Sequence, residues 1–183
     1  LEDFRLIHQH FPEIRLVSIE KNLETFKRQK FHKFCKQINL IESPLDRYLD
    51  HELVPGKRDI IWLDFTDFRP AYFGWLVSLL PKLGNGSLVR VTFPLDPPLH
   101  PATLKYLPFK EQAVEKLERI NQFDRKYSTF LPSGWQKLLS NDLMFSNLVT
   151  RMVSRLCEEA SLSNGLQARI LSAHRYADGQ AMT

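Results

Sequence analysis

The residues best placed to do chemistry are acids at the ends of apolar runs. Glu20 closes Ile14-Arg-Leu-Val-Ser-Ile19, and Asp64 lies near the end of Ile60-Ile-Trp-Leu-Asp-Phe65. Both runs read as strands. In open α/β sheets, ligands bind at the carboxyl ends of strands, where the strand order reverses. A carboxylate there can accept two hydroxyl hydrogen bonds from a ribose, which is the chemistry expected of Glu20. The other reading is a solvated loop acid paired with Lys21. Asp64 ends the most apolar strand of the chain. Carboxylates are rarely buried unpaired, so its strand-end position implies a cleft rather than the core. There it is a candidate general base for an acceptor hydroxyl, against a helix cap or an ion pair with Arg69. Asp67 is a second candidate base, or equally the cap of a helix starting near Pro70. His100 and, more remotely, His174 are candidate bases through their near-neutral titration.

Other chemistries lack their residues. The 183-residue chain holds only seven glycines, and neither Gly-x-Gly-x-x-Gly nor a Walker loop is among them. Cys35 and Cys157 are far apart and match no zinc spacing, so they read as small core hydrophobes in a reduced, cytoplasmic setting. His8, His10, His32, His51, His100 and His174 form no His-x-x-x-His pair, and no metal site is expected. No apolar run approaches the roughly 18 residues of a membrane span. The chain opens without Met and already in helical period, with Phe4, Ile7 and Phe11. That opening is expected of a chain that starts partway into a longer protein.

The elements that must position the acids alternate. Helix is predicted for Leu1 to Phe11, strand for Ile14 to Ile19, and helix from an Asn22 cap to about Lys36. Strand follows at Ile38 to Ile41, then a short helix after Ser43-Pro44 to about Leu53. Strand is predicted for Ile60 to Phe65, apolar on both faces as a buried parallel strand requires. Helix over Pro70 to Leu83 and strand over Ser87 to Leu95 complete the alternation. This pattern of parallel crossovers predicts an α/β protein with a doubly wound, mostly parallel sheet. Five of the eleven prolines then fall between Pro94 and Pro108, which excludes helix interior and central strand. Helices are predicted for Lys110 to about Arg125, Trp135 to Leu139 and Leu143 to Ala160. The last carries a stripe of Phe145, Leu148, Val149, Met152, Val153 and Leu156. Ala168 to Tyr176 reads as a strand, and Ala177-Asp178-Gly179-Gln180 as a hairpin turn. The expectation is one domain over 1–183: an alternating core to 95, a Pro-rich loop at 96–108, a helical layer at 109–163 and a closing antiparallel hairpin at 167–183. Trp62, Trp75 and Trp135 read as core.

This order resembles the class I, Rossmann-like methyltransferases that use S-adenosylmethionine. Arg15-Leu-Val-Ser-Ile-Glu20 looks like that family's second strand, whose terminal acid holds the ribose hydroxyls. Ile60-Ile-Trp-Leu-Asp64-Phe65 looks like its fourth, whose end faces the methyl donor. Ser18-Ile19-Glu20-Lys21 with Trp62-Leu63-Asp64 also looks like a group of poorly characterised bacterial O-methyltransferase-like proteins. The resemblance implies S-adenosylmethionine as cofactor, with its glycine loop and first strand before Leu1. It implies Glu42 or Ser43 at the adenine, Asp64 near the amino-acid part and methyl of the donor, and His100 on the acceptor side. Asp64-Phe65-Thr66-Asp67 departs from the Asp/Asn-Pro-Pro-Tyr motif of enzymes that methylate base amino groups. The implied reaction is O-directed, with an unidentified acceptor.

One charge feature stands apart. Residues 21–36 hold Lys21, Lys27, Arg28, Lys30, Lys33 and Lys36 against Glu24 alone, a local +5 in a chain of net charge +4. Phe26, Phe31 and Phe34 are interleaved and are expected to pack on the sheet, leaving a solvated basic face. The alternative is a nucleic-acid surface using Lys27, Arg28 and Lys33. With it comes a second function class: a catalytically degenerate, methyltransferase-like subunit that contacts nucleic acid or a partner protein. A nicotinamide-dependent enzyme is a third, because Glu20 suits that ribose as well.

Overall fold

The structure, a computed structural model, describes residues 2–99, 104–164 and 167–174. The chain divides into two compact units, Leu1–Val54 and Pro55–Thr183.

In the first unit, α1 (Glu2–His10) precedes β1 (Leu16–Glu20), α2 (Leu23–Phe31) and β2 (Ile38–Glu42). The strands pair in parallel, from Leu16 opposite Ile38 to Glu20 opposite Glu42. Asn22 caps α2 as predicted: its Oδ1 accepts from the Thr25 amide at 2.9 Å. The helix ends at Phe31, five residues before the predicted Lys36. Continuing it would stack Lys27, Lys30, Lys33 and Lys36 at successive i,i+3 spacings, and like charges so placed destabilise a helix. After β2, the short α3 (Leu45–Arg47) widens into a π-type turn, Tyr48–Glu52, closed by the Leu53 amide on the Tyr48 carbonyl at 2.7 Å. Leu16, Ile38, Tyr48 and Leu49 form the buried centre.

In the second unit, β3 (Ile60–Asp64) crosses through α4 (Pro70–Leu79) to β4 (Leu88–Thr92). These strands are also parallel, from Ile60 opposite Leu88 to Asp64 opposite Thr92. Two glycines shape the connection. Gly86 has φ +85, and a Cβ on Gly84 would overlap the Lys57 carbonyl oxygen. A helical layer follows: α5 (Phe109–Tyr127), 3₁₀ turns at Ser128–Phe130 and Trp135–Leu139, and α6 (Asp142–Asn164). The predicted stripe on α6 is core, with Phe145, Leu148, Val149, Met152 and Leu156 buried and Val153 half-buried. The Pro-rich stretch has no regular element over 94–99. It is pinned to the helical layer by the Leu99 amide on Leu139 O and by Arg119 Nη1 on Pro98 O.

The sheet differs from expectation. The described residues form two two-stranded parallel sheets, not one large doubly wound sheet. β3 is buried on one face only, with Leu63 covered while Ile60 is 73% and Trp62 44% exposed. Residues 168–174 form no strand, because among the described residues they have no partner to make a ladder. Tyr176 and the predicted turn at 177–180 lie outside the described residues.

Aromatic packing dominates the second unit. Phe73 is 0% exposed and its ring meets those of Phe68, Phe93, Tyr127 and Phe130. Phe73→Ala is therefore expected to cost about 3–5 kcal/mol. Gly84→Ala is expected to destabilise as well, because backbone must move to admit the methyl. The half-exposed Val77→Ala should stay within about 0.5 kcal/mol. Urea denaturation followed by tryptophan fluorescence checks the order; equal midpoints for Phe73→Ala and wild type would contradict it.

Candidate functional site

β3 delivers Asp64 to its carboxyl end because alternation along the strand sends Leu63 and Phe65 inward and Trp62 and Asp64 outward. The Asp64 carboxylate is exposed and has no hydrogen-bond or ionic partner among the described residues. Arg69, the partner weighed for it, pairs instead with Asp67. On the same face, the Arg90 guanidinium sits 4.3 Å from the centroid of the Trp62 ring, and Trp62 Nε1 donates to Thr92 Oγ1 at 3.4 Å. Trp62 is thus a surface residue beside Asp64, not core. Trp135 is buried as expected and Trp75 half-buried.

The chain beyond Asp64 is fixed by two tyrosines. Tyr72 Oη donates to the Asp67 carboxylate, which also pairs with Arg69. Asp67 therefore anchors the β3–α4 turn through a side chain five residues on. The residue at the helix cap is Arg69, without a side-chain capping bond. Tyr127, from α5, donates to the Phe68 carbonyl at 2.9 Å. Burial, then the Asp67 carboxylate, push both phenols up: Tyr72 above its ordinary value and Tyr127 to about 12. Both remain neutral donors at physiological pH. The sequence reading missed this network. Its one sequence signal is an acid and a tyrosine flanking Arg69-Pro70.

In the first unit, Glu20 is half-buried at the carboxyl end of β1. Its Oε1 accepts from the Asn22 amide at 2.7 Å. The other carboxylate oxygen has no partner among the described residues. Glu42, its register partner, is exposed. Ser43 is only 4% exposed. Its amide donates to the Glu20 carbonyl at 3.2 Å, and its hydroxyl lies 3.2 Å from Pro44 O and 3.3 Å from Glu52 Oε1. A hydroxyl has one proton to give, and here both acceptors lie in the turn that follows.

The remaining candidates fall elsewhere. His100 lies outside the described residues. His174 is exposed and borders an open groove of about 1110 Å³ beside β4, lined by side chains such as Leu76, Val91, Val149 and Leu156. Among the described residues no carboxylate lines that groove, and neither Glu20 nor Asp64 is on its wall. Cys157, also on its wall, is half-buried, and burial and then the Glu158 carboxylate push its thiol up.

The parallel strand–helix–strand crossovers and the strand-end acids agree with the chain's relationships. The family model described as "Putative O-methyltransferase" matches residues 1–183, and the chain belongs to that family. No curated protein and no solved structure matches it.

The raised phenols give a pH dependence with a defined sign. Below pH 10.0, their ordinary value, Tyr72 and Tyr127 are neutral whether the chain is folded or not, and their contribution to stability is fully present. Above it the unfolded chain ionises first, so stability falls as pH rises from 10 through about 12. Urea midpoints measured from pH 9 to 12 should show the fall, and it should be shallower in Tyr127→Phe. A tyrosinate absorbance titration in which every phenol ionises near pH 10 would contradict the assignment.

Proposed function

We propose that this chain is a cytoplasmic, S-adenosylmethionine-dependent methyltransferase that methylates an oxygen of its acceptor. The observation that carries the reading is the family match over the whole sequence. The residues fit the cofactor's polar groups. Its ribose diol and its ammonium group are hydrogen-bond donors, and the strand-end acids are acceptors with capacity to spare. Glu20 keeps one carboxylate oxygen for the ribose hydroxyls. Glu42, exposed opposite it, takes the adenine amine in preference to the Ser43 hydroxyl, which is held within its own turn. Asp64, without a partner among the described residues, is the candidate for the amino-acid part of the donor or for the acceptor hydroxyl.

When bound, the cofactor supplies a methyl group already activated by its sulfonium. The chain's own residues have less to do: position the acceptor in line and, for a poorly ionised hydroxyl, take its proton. Asp64 is the better base. Asp67 is already committed to Arg69 and Tyr72, and taking up a proton would weaken its ion pair with Arg69 and the turn it holds. His100 remains a second candidate on the acceptor side.

Calorimetry of the full-length protein with S-adenosylhomocysteine tests the reading. Glu20→Gln is expected to weaken binding about tenfold or more, as loss of a hydrogen bond to a charged group costs about 1.5–3 kcal/mol. No heat of binding from the folded full-length protein would remove S-adenosylmethionine from the proposal. Asp64→Asn separates the roles: lost turnover with retained binding marks a base, and lost binding marks a cofactor ligand.

A further inference from the structure

The basic segment does not pack as its sequence implied. No residue of α2 is buried. Its inward side is made by the half-buried Thr25, Phe26 and Gln29, and Gln29 Oε1 accepts from Ser18 Oγ on β1 at 3.1 Å. Phe31 lies on the other side, 84% exposed, and Phe34 beyond the helix is 40% exposed. The His32 ring meets Phe31 edge-on at 5.0 Å and is itself exposed. Lys27, Arg28, Lys30, Lys33 and Lys36 of the same segment are all exposed. Lys27 is partly neutralised by Glu24 at 2.9 Å, and Arg28 donates to Thr25 Oγ1 at 3.2 Å. Lys21, Lys30, Lys33 and Lys36 have no partner among the described residues.

From this arrangement we infer that the surface formed by Lys21, α2 and residues 32–36 binds single-stranded nucleic acid. Phosphates pair with the unneutralised lysines, and an unpaired base stacks on Phe31. The exposed ring supplies a stacking face and the exposed lysines of the same segment supply positive charge, the two components of the platform that single strands use. Charge complementarity names the occupant as a polyanion, and the ring selects one whose bases are free. An anionic bilayer is the poorer match. Lys27 and Lys30 fall within the same arc of the helix as Leu23 and Phe31, so no continuous apolar face is available to insert. The surface owes nothing to Glu20 or Asp64, and the inference stands independently of cofactor binding.

Fluorescence anisotropy of the full chain with labelled single-stranded U20 and dT20 tests it, the two arms separating RNA from DNA. Binding to at least one is expected, with affinity falling steeply with salt. Four phosphate contacts at a slope of about 0.7 each give a log–log slope near −3. The triple variant Lys30→Gln, Lys33→Gln, Lys36→Gln should flatten that slope by about 2. Phe31→Ala should weaken binding about tenfold with the slope unchanged, and Phe31→Trp should restore it. All four positions are exposed, and far-UV circular dichroism confirms that the variants fold. The inference is overturned if neither oligonucleotide binds, or if Phe31→Ala binds like wild type. It is equally overturned if a duplex, or phosphatidylserine vesicles, bind as tightly as the single strands.

Discussion

The second unit depends on how its aromatic rings close around the segment that leaves β3. Phe65 stacks on Tyr72 with centroids 3.9 Å apart and lies 5.4 Å from Phe93 at the end of β4. Phe68 meets Phe73, Phe93, Tyr127 and Phe145, so one ring touches residues from α4, α5, α6 and the strand exit. Each such ring buries about 150–250 Å², and aromatic pairs add roughly 0.5–1.5 kcal/mol beyond their area. A two-stranded sheet has little stability of its own. Here the cluster supplies what the missing strands do not, and it does so at the carboxyl ends. The position of Asp64 follows from it, since the residue after Asp64 is buried in the cluster and the residue before it is buried under the sheet.

The two tyrosines add direction to that packing. A buried hydroxyl must find an acceptor, and Tyr72 and Tyr127 find theirs within two residues of each other, at Asp67 and Phe68 O. The turn after β3 is thus tied to α4 by a carboxylate and to α5 by a carbonyl. Such ties hold only while the phenols stay protonated, and burial ensures that at neutral pH. The acids accordingly have different standing. Asp67 is spent on structure. Asp64 and one oxygen of Glu20 have no protein partner among the described residues, which is the condition a ligand-holding carboxylate has to meet.

What could be read from the sequence was what depends on near neighbours. The alternation of strand and helix, the Asn22 cap, the α6 stripe and the exit of two acids at strand ends are all set by period and by local hydrogen bonding. The limits predicted for the four observed strands lie within three residues of those found, and two of the starts, Ile38 and Ile60, coincide. Sheet size was not legible, because strand pairing is a long-range property and residues 168–174 carry a strand composition without a partner. The Ser43 hydroxyl lies within reach of Pro44 O and of Glu52, nine residues on, and the second contact has no sequence pattern. Trp62 was read as core because tryptophans usually are; the open face of β3 and the cation opposite it, Arg90, decide otherwise.

The basic helix shows how one geometric fact can reverse a reading. Phe26 and Phe31 are five residues apart, about 140° around a helix, so a nine-residue helix cannot bury both against one sheet. One ring must turn out, and it is the one at the end, where Arg28 and Lys30 precede it in the last turn. Extending the helix to Lys36 would have aligned a column of lysines without turning that ring inward. Sequences that only need a soluble helix solve this with a polar residue at that position. A ring exposed on a segment that carries six cations offers an anionic, flat partner both a stacking face and positive charge.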